Sequence, residues 1–178
     1  MSKLTISSVV LIFIFLIVWF SDQQQKYAQK IIPLVEFSLP DRQGKIQAIS
    51  LWKDKIRIIN FWATWCPSCL KEIPDFIQLQ KKYAPQNVQF IGIAIDNPAD
   101  VEDYLSFIDI NYPILLAPSE GGLIAKQLGN IVSAIPYTVI VNKKNEIIFR
   151  HPGELSKELI EKQLEILFKS PGQIKQSS

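Results

Sequence analysis

Two cysteines, Cys66 and Cys69, are the only ones in the 178-residue chain, and two residues separate them. At this spacing, at the start of a helix, two cysteines can close a disulfide bond without much strain. The first thiol then lies at the helix N-terminus, where free N–H groups and the helix dipole favour negative charge. A thiolate is the reactive form of cysteine, so a lowered pKa activates it. The pattern predicts thiol–disulfide exchange, in which Cys66 attacks a partner disulfide and Cys69 resolves the mixed disulfide.

A structural bridge and a metal half-site are the alternative roles for this pair. A disulfide over so few residues closes too short a loop to stabilise a fold appreciably. A closed zinc site usually takes four Cys or His ligands, and the only further candidate is the single histidine, His151. His151 is interpreted as a surface turn residue just after a strand. We therefore predict a redox pair, with no metal and no other cofactor.

A strand and a helix must position the two cysteines. Residues 56–62 form an apolar run with β-branched residues, which predicts a buried strand leading towards Cys66. Residues 67–83 have apolar side chains at helical spacing, and Pro67 suits the first turn of a helix. Pro74 inside this segment is expected to kink the helix.

The remaining pattern predicts an α/β fold with a central mixed sheet flanked by helices. Two alternating segments around the turn at residues 41–44 predict an N-terminal β-hairpin. Further strands are predicted over residues 88–95, 112–116, 137–141 and 146–150, and further helices over 98–108, 121–128 and 156–168. Ser156 is the expected N-cap of the last helix.

Composition indicates a globular chain, with 48% hydrophobic and 20% charged residues. The 19 basic and 17 acidic residues give a net charge of +2, and no long basic run appears. Nucleic acid is therefore not expected as a partner.

The N-terminal segment predicts membrane attachment. Residues 4–20 carry no charge and reach the lower length limit of a transmembrane helix, about 17–25 residues. A cleaved signal peptide is the alternative, but no Ala-x-Ala-like pattern follows the run. We expect an anchor over residues 1–22, a tether over 23–34, one domain over 35–170 and a disordered tail over 171–178.

The expected orientation places the domain outside the cytoplasm. The bias of positive charge across the N-terminal segment is slight, because Lys3 precedes it and Lys26 and Lys30 follow it. The redox pair adds to this bias. We expect a single pass through the inner or cytoplasmic membrane, with the catalytic domain facing the periplasm or the outer surface.

The segment around the cysteines resembles the active site of the thioredoxin superfamily. Residues 61–69 read Phe-Trp-Ala-Thr-Trp-Cys-Pro-Ser-Cys, and Pro74 matches the kink proline of that family. Residues 135–138, Ile-Pro-Tyr-Thr, resemble its cis-proline loop. The resemblance covers residues 35–168 and implies the thioredoxin fold.

The same resemblance implies how a substrate is held. A cis peptide bond is expected at Pro136, in a loop that faces the cysteines and pairs its backbone with an extended segment of the substrate. Ile135 belongs to this loop. Trp65 and Pro67 flank Cys66, so we expect all four residues to contact the substrate.

Within that superfamily the chain is most similar to the TlpA/ResA-like group of anchored, extracytoplasmic reductases. The N-terminal run and the hairpin carry this similarity. So does the separation of 70 positions from Cys66 to Pro136, which implies a central insertion over residues 96–117. The similarity implies partner proteins that carry disulfides or thiols, and a membrane electron donor.

Glu72 is a candidate proton acceptor. It follows Cys69 by three positions, so the two side chains lie on one face of a helix. Plain thioredoxins carry a buried aspartate in the preceding strand, and Asn60 stands at the matching place. Partial burial near thiols would raise the pKa of Glu72 and suit it to proton transfer. From the residues alone, a solvated helix glutamate is equally compatible, and the resemblance favours the catalytic role.

Three other functions are possible on this fold, and each can be compared with the sequence. A cytochrome c maturation thioredoxin would keep apocytochrome thiols reduced, although residues 131–135 match that group's pattern poorly. A non-enzymatic binding or chaperone module on an anchored thioredoxin fold does not need both cysteines. A peroxidase would need Pro-x-x-x-Thr-x-x-Cys, and Ile59 and Ala63 occupy the proline and threonine positions.

Overall fold

The computed structural model of the chain describes Phe13 and residues 32–169. Apart from Phe13, the predicted anchor lies outside these residues, as do the tether up to residue 31 and the predicted tail. Within the described part of the chain, no helix combines the length and the apolar character needed to cross a membrane.

Residues 32–169 contain eight strands and four α-helices. The strands are β1 Ile32–Pro33, β2 Ser38–Pro40, β3 Ile46–Ala48, β4 Ile56–Trp62, β5 Val88–Ala94, β6 Ile114–Leu116, β7 Tyr137–Val141 and β8 Glu146–Pro152. The helices are α1 Pro67–Tyr83, α2 Pro98–Leu105, α3 Gly121–Gln127 and α4 Lys157–Lys169. Two 3-10 segments occupy Ile49–Trp52 and Ala84–Gln86.

The main sheet is mixed, as predicted. Its strand order is β1-β8-β7-β4-β5-β6, with β4 parallel to β5 and antiparallel to β7. Strands β2 and β3 form the predicted antiparallel hairpin as a separate two-stranded sheet. An isolated bridge from Asp41 to Leu115 brings the hairpin to the edge strand β6. This is a thioredoxin-like α/β fold.

Strand β4 is buried on both faces, because its side chains alternate between two hydrophobic cores. Ile58 and Trp62 contribute to the core that also contains apolar residues of α1, α2 and α4. Ile59 and Phe61 contribute to the core on the opposite face, together with residues of α3 and of the hairpin region. The end of β4 is therefore fixed from both sides, directly before the cysteines.

Helix α1 has the bounds predicted from the sequence. Pro67 occupies the first turn, where its missing N–H has no intrahelical partner to lose. Pro74 lies inside the helix, and the kink expected there stays a prediction. The buried residues of α1 recur at helical spacing, namely Cys69, Glu72, Ile73, Phe76, Leu79, Gln80 and Tyr83. Glu72 is the one acidic residue on this buried face.

Some element bounds differ from the predictions. His151 does not lie in a turn after a strand; it lies inside β8, where it pairs with Thr138. The strand predicted over residues 146–150 is also longer, because pairing with β7 extends β8 through Pro152. The proposed insertion, residues 96–117, contains α2 and β6, and β6 extends the main sheet beside β5.

Candidate active site

The loop between β4 and α1 is fixed before it reaches the cysteines. The Asp96 carboxylate accepts hydrogen bonds from the Thr64 backbone N–H at 2.8 Å and from the Thr64 hydroxyl at 2.6 Å. The Trp62 carbonyl accepts a hydrogen bond from Ile95 N–H at 2.8 Å. These contacts hold the loop to the end of β5. An aspartate directly after a predicted strand was the sequence signal for this contact, and sequence reasoning missed it.

Cys66 is the N-cap residue of α1 and forms a disulfide bond with Cys69. The Cys69 backbone N–H points at Cys66 Sγ, with the nitrogen 3.3 Å from the sulfur, and Ser68 Oγ lies 3.5 Å from the same sulfur. The first turn of the helix thus directs donors at Cys66. These donors and the helix dipole favour a thiolate on Cys66 in the reduced protein.

Exposure distinguishes the two sulfur-bearing residues. Cys69 is fully buried, whereas Cys66 is 5% exposed to solvent. The two residues that flank Cys66 are exposed, with Trp65 at 63%. A partner that approaches Cys66 therefore meets the indole ring of Trp65 and the ring of Pro67.

The proline loop lies beside the cysteine loop. Phe61 of β4 is paired with Tyr137 of β7, so the antiparallel register brings Pro136 next to the end of β4. The Ile135–Pro136 peptide bond is cis, as the resemblance implied. Ile135 packs against the core cluster that contains Cys66 and Cys69.

The backbone of this loop is only partly engaged. The Pro136 carbonyl accepts a hydrogen bond from Gly153 N–H at 2.7 Å. Among the described residues, the backbone N–H and carbonyl of Ile135 form no hydrogen bond with another backbone group. Ile135 therefore offers a donor and an acceptor to an extended chain beside the cysteines.

Glu72 lies in a buried polar network rather than in solvent. Its side chain is 2% exposed. One carboxylate oxygen accepts a hydrogen bond from Asn60 Nδ2 at 2.7 Å, and the other accepts one from the Leu155 backbone N–H at 2.9 Å. Asn60 Nδ2 also donates to Thr138 Oγ1 at 3.0 Å. The interpretation of Glu72 as a solvated helix residue is therefore wrong.

Burial raises the pKa of Glu72 to about 7 in this disulfide-bonded form. The hydrogen bonds from Leu155 and Asn60 lower the pKa, and the nearby Glu154 carboxylate raises it, but desolvation is the largest cause. A carboxyl group with this pKa can both accept and release a proton near neutral pH.

Sequence reasoning missed Thr138 and the Leu155 N–H. Both reach Glu72 or Asn60 from distant parts of the chain, and a threonine inside an apolar strand gives no local signal for such a contact. Only the pairing of β4 with β7 reveals it, because that register places Thr138 directly opposite Asn60.

The fold and this site define a thioredoxin-fold protein with a dithiol–disulfide centre. The chain belongs to the AhpC/TSA family, whose model matches residues 31–150. It is similar to the thiol–disulfide oxidoreductase ResA of Bacillus cereus, at 30% identity over 80% of this chain and 80% of the relative. ResA of Halalkalibacterium halodurans is 27% identical, over 90% of this chain and 89% of the relative.

A solved structure agrees with these relatives. A thiol:disulfide interchange protein of the thioredoxin family from Chlorobium tepidum superposes with a TM-score of 0.69 at 28% identity, covering 78% of this chain and 97% of that protein. With the Cys66–Cys69 pair at the helix N-terminus, these relatives show that the chain is a thiol–disulfide oxidoreductase.

Proposed function

We propose that the chain reduces disulfides in partner proteins outside the cytoplasm, through Cys66 and Cys69. The observation that carries this proposal is the pair itself, at the N-terminus of a 17-residue helix whose buried face carries Glu72 one turn further along. The arrangement provides an accessible nucleophile, a buried resolving thiol and a buried carboxyl group.

The reaction begins from the reduced protein. The Cys66 thiolate attacks one sulfur of the partner disulfide, forms a mixed disulfide and releases the other partner sulfur as a thiolate, which takes up a proton. Cys69 then loses its proton and attacks Cys66 Sγ, and the second partner sulfur leaves. The partner gains two electrons and two protons, and the protein is left with the Cys66–Cys69 disulfide.

Glu72 is the acceptor proposed for the Cys69 proton. It lies three positions after Cys69 on the buried face of α1. Asn60 stands where the resemblance to plain thioredoxins would place a buried aspartate, and an amide cannot take up the proton. A carboxyl group with a pKa near 7 is ionised often enough to accept a proton and returns it readily afterwards.

The substrate surface combines the two loops. Exposed Trp65 and Pro67 supply apolar contact next to Cys66. Ile135, with its open backbone groups, and the adjacent Pro136 supply a short edge to which an extended segment of the partner can pair. Proteins with an accessible disulfide in an extended segment fit this surface.

Trapping of partners tests the proposal. Full-length Cys69→Ala protein in its native membrane is expected to hold partners as mixed disulfides on Cys66, because no resolving thiol is present. Mass spectrometry of the trapped species identifies the partners, including the membrane electron donor. Apocytochrome c as the dominant species would favour the maturation role.

The trapping experiment has an internal control. The Cys66→Ala, Cys69→Ala double variant has neither thiol and should trap nothing, and circular dichroism should show that it is folded. If the single variant traps no protein, and the intact chain fails to reduce insulin disulfides, the chain acts as a binding module and the proposed reductase function is wrong.

We further propose that residues 4–20 anchor the chain and that the domain faces the periplasm or the outer surface. The uncharged run supports the anchor.

The anchor and the orientation are tested separately. The mature protein is expected to retain its N-terminal segment in mass spectrometry, and protease added to intact cells or spheroplasts is expected to digest the domain. A mature chain that begins near Gln23 would refute the anchor. Protection of the domain until the membrane is opened would refute the orientation.

A further inference from the structure

The polar network behind the cysteines contains the side-chain amide of Asn60, which donates hydrogen bonds to both Glu72 and Thr138. Asn60 lies in the middle of β4, between Thr138 of β7 and Gly92 of β5. Its side chain is 3% exposed, and that of Thr138 is fully buried. Both side chains are therefore almost entirely shielded from solvent.

The hydrogen bonds around Glu72 all suit one protonation state. Asn60 Nδ2 and the Leu155 N–H both donate, one to each carboxylate oxygen. An ionised carboxylate accepts both bonds. A protonated carboxyl group carries an O–H that needs an acceptor, and neither of these nitrogens can accept.

Asn60 has the groups to serve both states. The two hydrogens of Nδ2 are directed at Glu72 Oε1, 2.7 Å away, and at Thr138 Oγ1, 3.0 Å away. If the amide plane turns by half a rotation, Oδ1 takes the same place, and its two lone pairs can accept from the Glu72 O–H and the Thr138 O–H. The Thr138 hydroxyl can accept in the first arrangement and donate in the second.

We propose that Asn60 is a positioning residue whose side-chain amide turns over when Glu72 takes up a proton, with Thr138 as its hydroxyl partner in both orientations. Nδ2 faces the carboxylate, and Oδ1 faces the carboxylic acid. The inference rests on the proposed role of Glu72 as proton acceptor. It gives a reason for an amide at this place: an ionised aspartate could accept but never donate.

Other ionisable groups lie near Glu72 and must be considered when its titration is followed. Glu154, after β8, faces it and is paired with Lys71 at 2.6 Å. The Tyr112 hydroxyl, before β6, has its pKa raised by burial and, to a smaller extent, by the Glu72 carboxylate. In the oxidised protein the two cysteines do not titrate. Glu72 can then be followed without interference from the thiols.

Nuclear magnetic resonance of the oxidised full-length protein in detergent micelles tests the amide directly. The Glu72 carboxyl carbon is expected to titrate with a midpoint near 7. The side-chain amide signals of Asn60 should move with the same midpoint, because the amide exchanges its partners when the carboxyl group is protonated. Glu72→Gln and Asn60→Asp spectra assign the two signals.

Four substitutions sharpen the test. Asn60→Asp places a second carboxylate beside Glu72 and should raise the Glu72 midpoint by about one pH unit or more. Thr138→Val removes the hydroxyl and should decouple the Asn60 signals from the titration, whereas Thr138→Ser should restore the coupling. Gln80→Glu is the matched control. Gln80 lies on α1 and, like Asn60, is a buried amide, with Oε1 2.7 Å from Phe90 N, and its replacement should leave the Glu72 midpoint unchanged.

The outcomes separate this inference from the proposed function. Asn60 signals that stay constant while Glu72 titrates would overturn the amide rotation and leave the proton acceptor intact. An unchanged Glu72 midpoint in Asn60→Asp would overturn the positioning role. If Glu72 does not titrate near neutral pH and Glu72→Gln exchanges disulfides like the wild type, both the acceptor and its positioning residue are wrong. The wild-type titration alone is decisive if a variant fails to fold.

Discussion

The Cys66→Ser protein is expected to lose disulfide exchange completely, whereas Cys69→Ser should attack partners and remain bound to them. The reason lies in the position of the two sulfurs. Cys66 keeps some exposure at the helix N-terminus, with the Cys69 N–H directed at its sulfur, while Cys69 is fully buried. Only Cys66 is therefore both reachable and stabilised as a thiolate.

Insulin reduction and non-reducing gel electrophoresis measure both halves of this prediction. Cys66→Ser should give the uncatalysed rate of insulin precipitation and no mixed disulfide. Cys69→Ser should give stoichiometric mixed disulfide without turnover. Ser68→Ala is the matched control, since it lies between the cysteines, loses only the hydroxyl at 3.5 Å from Cys66 Sγ, and should retain turnover. If alkylation of the reduced wild type modifies Cys69 first at neutral pH, the assignment of the nucleophile is wrong.

The elements that carry the cysteines could be predicted because their sequence signals are local. Strand β4 is a continuous apolar run, and its bounds, Ile56–Trp62, agree with the prediction. Helix α1 also agrees at both ends, since Pro67 marks its first turn and apolar residues recur along one face. Both elements are buried and regular, so packing and local preference favour the same structure.

The surroundings of Glu72 could not be predicted in the same way. The sequence placed Glu72 on the face of Cys69, but its burial depends on the segment before α4, where Leu155 N–H caps the carboxylate. Thr138 enters the network through the pairing of β4 with β7. These contacts join residues 83 and 78 positions apart. Hydrophobic periodicity contains no information about such pairings.

His151 shows the opposite error, in which a local signal misled. Proline and glycine after a histidine are typical of a turn, and this predicted the end of β8 too early. The cross-strand pairs Thr138–His151 and Tyr137–Pro152 continue the strand, and the His151 ring stacks on Phe149 with centroids 6.0 Å apart. Pairing with a buried neighbouring strand outweighs the preference of two residues.

Glu72→Gln is expected to change the pH dependence of stability as well as of exchange. In the oxidised protein, burial raises the pKa of Glu72 from its ordinary value of 4.5 to about 7. Between these pH values the folded protein holds a proton that the unfolded chain releases. The free energy of unfolding therefore falls as the pH rises through this range. At about 1.4 kcal/mol for each pH unit, the wild type should lose about 3 kcal/mol relative to Glu72→Gln.

Urea denaturation of the oxidised proteins at several pH values measures this difference. Glu72→Gln should gain stability relative to the wild type between pH 4.5 and about 7, and the difference should be constant on either side. Glu102→Gln is the control, because the contribution of Glu102 to the free energy of unfolding should change with pH in the opposite direction. The Arg42 guanidinium lowers the pKa of that exposed carboxyl group, so its stabilising contribution is lost as the pH falls.

The Glu72→Gln protein should also resolve mixed disulfides more slowly, because the proton of Cys69 has lost its acceptor. Two results together would contradict both roles of Glu72: the same dependence of stability on pH in Glu72→Gln and the wild type, and wild-type exchange rates in Glu72→Gln from about pH 5 to 9. They would show that burial does not raise the pKa of Glu72 and that Glu72 does not take part in proton transfer.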